Sequence, residues 1–246
     1  MIRAVLFDHD GVLVDSMPFH VEAWQRVMAR HGIEIDPLEI YLAEGATTME
    51  VAAEFFHRHG KSASPELVQQ IVREKRDDYL ANNATQLQDG VMAVLEYLKE
   101  NRYRLGLVTG SIRAQVEPVI GPEVNEWLDC IITADDVEHG KPDPEPYWRA
   151  IQKLHVAPSE ALVIENSPLG IRSAKSAGAA VVAITTTLAP HYLREADFIV
   201  HDFAELRRRL PGMMSKYEGV GPHPQPKLQP SQPEYQRFID LEDELY

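Results

Sequence analysis

Ala4-Val5-Leu6-Phe7-Asp8-His9-Asp10-Gly11-Val12-Leu13-Val14-Asp15 passes from four consecutive apolar residues into a charged turn. An apolar run without alternation is the pattern of a parallel strand buried on both faces. Two carboxylates two residues apart, just past such a strand, can divide labour: one attacks while the other moves a proton. The same Asp-x-Asp-Gly also serves as a plain polar turn, and both readings stay open on this stretch alone.

Working outward, residues 18–83 read as helices only. Phe19, Ala23, Trp24, Val27 and Met28 recur at helical spacing, and Gly32 closes that helix. Thr47 and Glu50 form a capping box for a helix that stops at Gly60. Ser64-Pro65 opens another, reaching about residue 81. Beyond Asp89, which caps a helix to about Glu100, the chain alternates: strand 105–108, helix 113–120, strand 130–133, helix 145–155, strand 161–164, helix 169–177, strand 180–184 and a short strand 198–200. Alternation of this kind predicts an α/β fold: a Rossmann-like parallel sheet with helices on both faces. The helical stretch is then an inserted all-helical cap. The expected division is a catalytic core of residues 1–16 and 88–210, a cap of residues 17–87, and a proline-rich tail of residues 211–246. Six prolines between 211 and 233 exclude a regular helix there and favour extended chain. The tail then lies on the surface or is disordered, or it clasps a second copy.

The net charge of −14 argues against a nucleic-acid or anionic-membrane partner, because a phosphate backbone is gripped by clustered Lys and Arg. A locally positive pocket for a small anion remains compatible with it. Cys130 is the single cysteine, so no intrachain disulfide forms, and its apolar surroundings predict a buried strand thiol. No apolar stretch reaches the roughly 20 residues of a membrane span, and the amino terminus runs straight into a strand. The expectation is a cytoplasmic protein, a monomer or homodimer.

Ligands bind beyond the carboxyl ends of the strands in open parallel sheets, and four polar clusters follow four predicted strands. The first is Asp8 to Asp15. The second, Thr109-Gly110-Ser111, offers a hydroxyl donor, a close backbone approach and a helix amino terminus; helix capping by Ser111 is the alternative. The third, Gly140-Lys141-Pro142-Asp143-Pro144, pins a lysine in a rigid loop, or leaves it solvated. The fourth, Glu165-Asn166-Ser167-Pro168, carries acid and amide oxygens that suit a hard cation such as Mg²⁺, or a polar helix cap.

Together and in this order, over residues 2 to about 210, the clusters resemble the haloacid dehalogenase superfamily of phosphotransferases with a helical cap. That resemblance implies Asp8 as nucleophile, Asp10 as general acid–base, Thr109 as phosphate-binding hydroxyl and Lys141 as charge-stabilising lysine. It implies a Mg²⁺ site from Asp8, Asp10, Glu165 and Asn166. Asp10 favours a phosphotransferase, since the dehalogenating branch lacks it. Asn166 departs from the acid usual in the family, which predicts weaker Mg²⁺ binding.

The cap resembles that of the β-phosphoglucomutase branch. His20 and Lys75 fall where that branch has a cap histidine and lysine, while Thr48 stands where it has a phosphate-gripping arginine. A mutase holds a bisphosphate at both ends, so a missing guanidinium favours a phosphatase. His20, Thr48, Lys75, Gly110 and Ser111 are the expected substrate-binding residues, with Glu44 a further cap residue facing the site. The substrate expected is a small phosphorylated metabolite, such as a sugar phosphate, hydrolysed through an aspartyl-phosphate. A phosphosugar mutase is the alternative within the same chemistry, and a non-catalytic phosphate-ligand-binding protein the alternative outside it. His9, His57 and His59 are read as surface or packing residues.

Overall fold

The computed structural model describes residues 1–217. Its six strands are β1 (Ala4–Phe7), β2 (Arg104–Val108), β3 (Cys130–Ile132), β4 (Ala161–Glu165), β5 (Ala180–Ile184) and β6 (Phe198–Val200). They form one sheet in the order β3-β2-β1-β4-β5-β6. Every neighbouring pair is parallel, which gives the Rossmann-like α/β core. The unbroken apolar run of β1 now has its reason. Val5 and Phe7 join Leu105, Leu107, Leu162 and Ile164 in one buried layer, and Ala4 and Leu6 join Val163 and Val181 in the other. Burial on both faces removes any need for polar alternation.

Between β1 and β2 stand the four cap helices α1 (Met17–Arg30), α2 (Pro37–Leu42), α3 (Thr48–Arg58) and α4 (Pro65–Asn82). Their apolar faces make a separate core, with Val27, Met28, Phe55 and Ile71 buried together. Trp24 meets Phe55 edge-on at 5.2 Å, a contact worth about 1 kcal/mol beyond its buried area. Asp78 of α4 accepts from Arg26 and Arg30 of α1, tying the first and last cap helices. Asp15 N–H donates to the Gln86 carbonyl and Gln88 N–H to the Leu13 carbonyl. The two crossings between core and cap therefore run side by side, hydrogen-bonded to each other.

The remaining helices, α5 (Val91–Glu100), α6 (Arg113–Trp127), α7 (Glu145–Lys153), α8 (Pro168–Ser176) and α9 (Phe203–Ser215), cover the sheet. Several boundaries differ from the sequence reading. The amino-terminal cap of α5 is Gly90, at φ 81°, with no side-chain capping bond, so Asp89 is not the cap. The first segment of α6 ends at Ile120, as the sequence reading has it; Gly121, at φ 74° and ψ 165°, is not helical, and a second short segment that the reading did not include follows to Trp127. Pro122, just after the break, sits where a proline costs a new helical segment least. Helix α2 went unread, although Asp36 and Glu39 make a complete capping box at its start. Helix α9 runs through Pro211 to Ser215, against the expectation that no helix forms there. Leu206, Leu210, Met213 and Met214 are all buried against the sheet, and that burial outweighs the one hydrogen bond a proline removes. The rest of the proline-rich tail lies outside the described residues. Among those described, no helix is long and apolar enough to cross a membrane.

Candidate active site

The strand order places β1 in the middle, with β2 and β4 on either side. All three end on the same rim, so the first, second and fourth clusters meet there, at the point where the strand order reverses. The loop carrying Lys141 crosses to the same place. Lys141 is 1% exposed and Asp8 3%. Lys141 Nζ donates to Asp8 Oδ1 at 2.5 Å and to Glu165 Oε1 at 2.7 Å. An ordinary solvated lysine is thereby excluded. Burial lowers the Lys141 pKa, but Asp8 and Glu165 beside it hold it well above the usual lysine value. Burial pushes Asp8 up to about 8, against the opposing pull of Lys141. One ammonium thus stands between two buried carboxylates.

Glu165 ends β4 with its carboxylate fully engaged. Tyr147 donates to Oε1, while Asn166 N–H, Ser167 N–H and Ser167 Oγ donate to Oε2. With Lys141 that makes five protein donors. The geometry therefore corrects the expected ligand set: Glu165 anchors Lys141 and the loop, because its lone pairs are already taken. Asn166 differs. Its amide nitrogen donates to Thr187 Oγ1 at 3.1 Å, which turns the carbonyl oxygen the other way. That Asn166 Oδ1 and Asp8 Oδ2 are buried and have no hydrogen-bond partner among the described residues. Two orphaned oxygens on adjacent strand ends fit a hard cation with oxygen ligands. The third oxygen expected from the resemblance is the Asp10 backbone carbonyl. Among the described residues no trio of His, Cys, Asp and Glu converges as a metal centre, as follows when an amide takes the place of an acid. Gly11, at φ +78°, makes the approach of the two loops fit. A Cβ there would sit 2.3 Å from the Asn166 amide nitrogen.

Asp10 is held from the cap side. Its Oδ1 accepts from Ser16 Oγ at 2.6 Å and lies 3.1 Å from His20 Nε2, and its Oδ2 accepts from Ser111 Oγ at 3.2 Å. Burial alone would raise the Asp10 pKa. The imidazoles of His9 and His20 and the bonds from His20 and Ser16 outweigh it and hold the carboxyl below its ordinary value. Lys75 Nζ approaches His20 Nδ1 at 2.7 Å. A lysine ammonium only donates, so Nδ1 is the acceptor and Nε2 carries the hydrogen given to Asp10. Tyr79 stacks on His20 at 4.2 Å, and the Lys75 ammonium lies over the Trp24 and Tyr79 rings. Burial lowers the Lys75 pKa to about 8.

The structure therefore brings the expected residues together on one cavity. Asp10, His20, Thr48, Lys75, Gly110 and Ser111 line it, as does Glu44. Asp8 and Lys141 are buried behind it and are not among its lining residues; Lys141 packs under Gly45, where an added Cβ would meet its side chain at 3.2 Å. Thr109 is buried beside them, its Oγ1 accepting from Ser111 N–H. Ser111 does not cap α6, whose capping position is Ile112; its hydroxyl serves Asp10. Burial, then the charges of Asp10 and Asp8, hold the Glu44 carboxyl well above its ordinary value. Sequence reading missed Ser16, Tyr147 and Thr187; it named Ser167 within the fourth cluster, where that residue caps α8 as one of the two readings had it. Ser16 left a trace: it occupies the capping position of α1 yet makes no capping bond. Tyr147 and Thr187 left none, since each meets its partner only through the fold.

A haloacid dehalogenase-like hydrolase model matches residues 5–184. Validoxylamine A 7'-phosphate phosphatase of Streptomyces hygroscopicus subsp. limoneus is 36% identical over 84% of this chain and 97% of its own. A phosphorylated carbohydrates phosphatase of Thermotoga maritima is 30% identical over 72% of this chain and 82% of its own. A crystal structure of β-phosphoglucomutase from Clostridium difficile superposes with a TM-score of 0.78 at 26% identity, covering 89% of this chain and 98% of that one. The chain belongs to the haloacid dehalogenase-like hydrolase family and is a phosphohydrolase of that family.

Proposed function

We propose that the chain hydrolyses the phosphate monoester of a small sugar or polyol, with Mg²⁺ bound and Asp8 as nucleophile. The observation that carries this reading is the Asp8 carboxylate itself: one oxygen is gripped by Lys141 at 2.5 Å and the other is buried without a partner. A carboxylate so placed has one oxygen fixed and one free to engage. Asp8, the Asp10 carbonyl and Asn166 Oδ1 would hold the cation. When bound, Mg²⁺ supplies positive charge against the phosphoryl oxygens and the buried carboxylates.

Asp8 attacks phosphorus in line, forming a bond to it as the bond to the leaving oxygen breaks. Asp10 gives that oxygen its proton. The dianion of the substrate raises the pKa of Asp10 as it binds, and His20, which gives its Nε2 hydrogen to Asp10 and accepts from Lys75 at Nδ1, can pass the proton on. Asp10 then takes a proton from water, the water oxygen attacks the aspartyl-phosphate, and Asp8 and phosphate are released. Lys141 and the hydroxyl of Thr109 remain in place throughout and oppose charge at the phosphoryl group. Uncatalysed monoester hydrolysis is slow enough that acceleration can reach ~10²¹-fold, so positioning and charge must act together. The cavity encloses only about 40 Å³, far below the roughly 300 Å³ and upward of a metabolite site. Substrate entry therefore requires the cap to swing away and return.

The relatives named for phosphorylated carbohydrates and for validoxylamine A 7'-phosphate support a hydroxyl-rich leaving group. The likeness to a β-phosphoglucomutase, with the chain Lys75–His20–Asp10, supports the mutase alternative. Phosphate release from a panel of sugar and polyol monophosphates with Mg²⁺ tests the proposal. Asp8→Asn should lose at least about 10³-fold in kcat while keeping its fold. Glucose 6-phosphate made from glucose 1-phosphate and a bisphosphate activator, without free phosphate, would establish the mutase instead.

A further inference from the structure

Glu44 stands on the cavity wall and takes no part in the chemistry above. It lies in the turn between α2 and α3, just before Gly45, on the side of the cavity that the cap supplies. Its carboxyl makes no hydrogen bond or ion pair among the described residues. Lys75 is the only cation among the described residues lining the cavity, and its ammonium is directed at His20 Nδ1, 2.7 Å away. On the phosphatase reading the phosphoryl group lies against Asp8 and Lys141, and the leaving oxygen faces Asp10, which protonates it. Asp10 lines the cavity together with Glu44 and Thr48, so a leaving group that occupies the cavity meets both.

We infer that Glu44 sets leaving-group specificity: it accepts a hydrogen bond from a hydroxyl of a neutral polyol and disfavours a leaving group that carries a second phosphate. The inference rests on the phosphatase reading. In either protonation state Glu44 presents an acceptor oxygen and brings no positive charge. Glu44 is partly exposed, so a substrate hydroxyl gives that oxygen a partner in place of water, and a leaving group without hydroxyls displaces the water and gives nothing back. A second phosphate would enter a closed space beside Asp10 with no free cation to meet it, a dianion removed from water without compensation. Thr48 adds a hydroxyl and Gly45 no side chain, so neither supplies the missing charge.

Three substrates separate the outcomes: glucose 6-phosphate, fructose 1,6-bisphosphate and p-nitrophenyl phosphate, whose leaving group has no hydroxyl beyond the ester oxygen. The readout is the ratio of kcat/KM values, with thermal melting to confirm that each variant is folded. Glu44→Ala should lower the ratio of glucose 6-phosphate to aryl phosphate by about tenfold or more, mostly through KM. Glu44→Gln, which keeps an acceptor oxygen, should restore most of it. Glu44→Arg should raise fructose 1,6-bisphosphate relative to glucose 6-phosphate by a similar factor. Unchanged ratios in Glu44→Ala and Glu44→Arg, with aryl phosphate still hydrolysed, overturn the inference and leave the phosphatase intact. No turnover of any of the three by the wild-type chain with Mg²⁺ removes the phosphatase reading, and this inference with it.

Discussion

Asn166 places a neutral amide oxygen where an acid would add a full charge towards a dication. Its nitrogen is tied to Thr187, so the oxygen is correctly turned but weakly charged. Asn166→Asp should therefore tighten Mg²⁺ by about tenfold or more, read by calorimetric titration. Equal or tighter binding by the wild type would refute that assignment of the ligand. Lys75 governs a different observable. It is a charged donor to His20 only while protonated, and burial has brought its pKa down to about 8. The donor is present below that pH and is lost as pH rises through it, so kcat/KM at saturating Mg²⁺ should fall on the alkaline side near pH 8. Lys75→Arg, which stays charged, should move that limb upward, and Lys75→Met should remove it. A limb that survives unchanged in Lys75→Met assigns it elsewhere. Asp8, Asp10 and Lys141 stood out only when the four polar clusters were read together as following four strands, and their roles came from the resemblance. Glu165 was legible as a site residue but not as an anchor: its five donors come from α7, the Lys141 loop and its own turn, and no local spacing announces such a convergence.

At the scale of elements, the cap closes on the core through contacts between small residues. A Cβ on Gly110 would lie 3.1 Å from the Gly45 carbonyl oxygen and 3.4 Å from that of Ala46. The cap loop would have to give by a few tenths of an ångström. Gly110→Ala should then raise KM several-fold while leaving the melting temperature nearly unchanged, because the strain falls on the closed state and not on either core. A large loss of stability with normal KM would show that the contact is structural. The paired crossings at Leu13, Asp15, Gln86 and Gln88 give the cap a double hinge, so its swing is constrained in direction. Helix and strand types were legible because the periodicities differ so plainly. Ends were less so: Gly121 ends the first segment of α6 where expected, but the segment after it was not read, and Pro211 does not end α9. At α9 distant packing decided that the helix continued.

For the whole molecule, the balance of buried charge is the governing fact. Asp8 and Glu165 share one lysine, which leaves a buried excess of negative charge when both are ionised. A divalent cation at the Asp8 and Asn166 oxygens would relieve it. Mg²⁺ at a hundredfold excess over its Kd should therefore stabilise the fold by about 2.7 kcal/mol, and a chelator should lower Tm by several degrees. No shift in Tm with Mg²⁺ in excess, checked by scanning calorimetry, would contradict the proposed cation site. The class of fold and the identity of the chemical groups are readable along the chain. Strand and helix period, and the polar clusters after the strands, are local properties written along the chain. Which oxygens are taken and which are free depends on how the folded chain packs. Glu165 proved saturated, Asn166 turned outward from Thr187, Ser16 diverted from its helix to Asp10, and Glu44 left unmatched. Lys141, Tyr147 and Thr187 reach Glu165 and Asn166 from far along the chain, while the Ser16 and Ser167 contacts are local; where burial removes water as a partner, every unpaired atom acquires an energetic consequence.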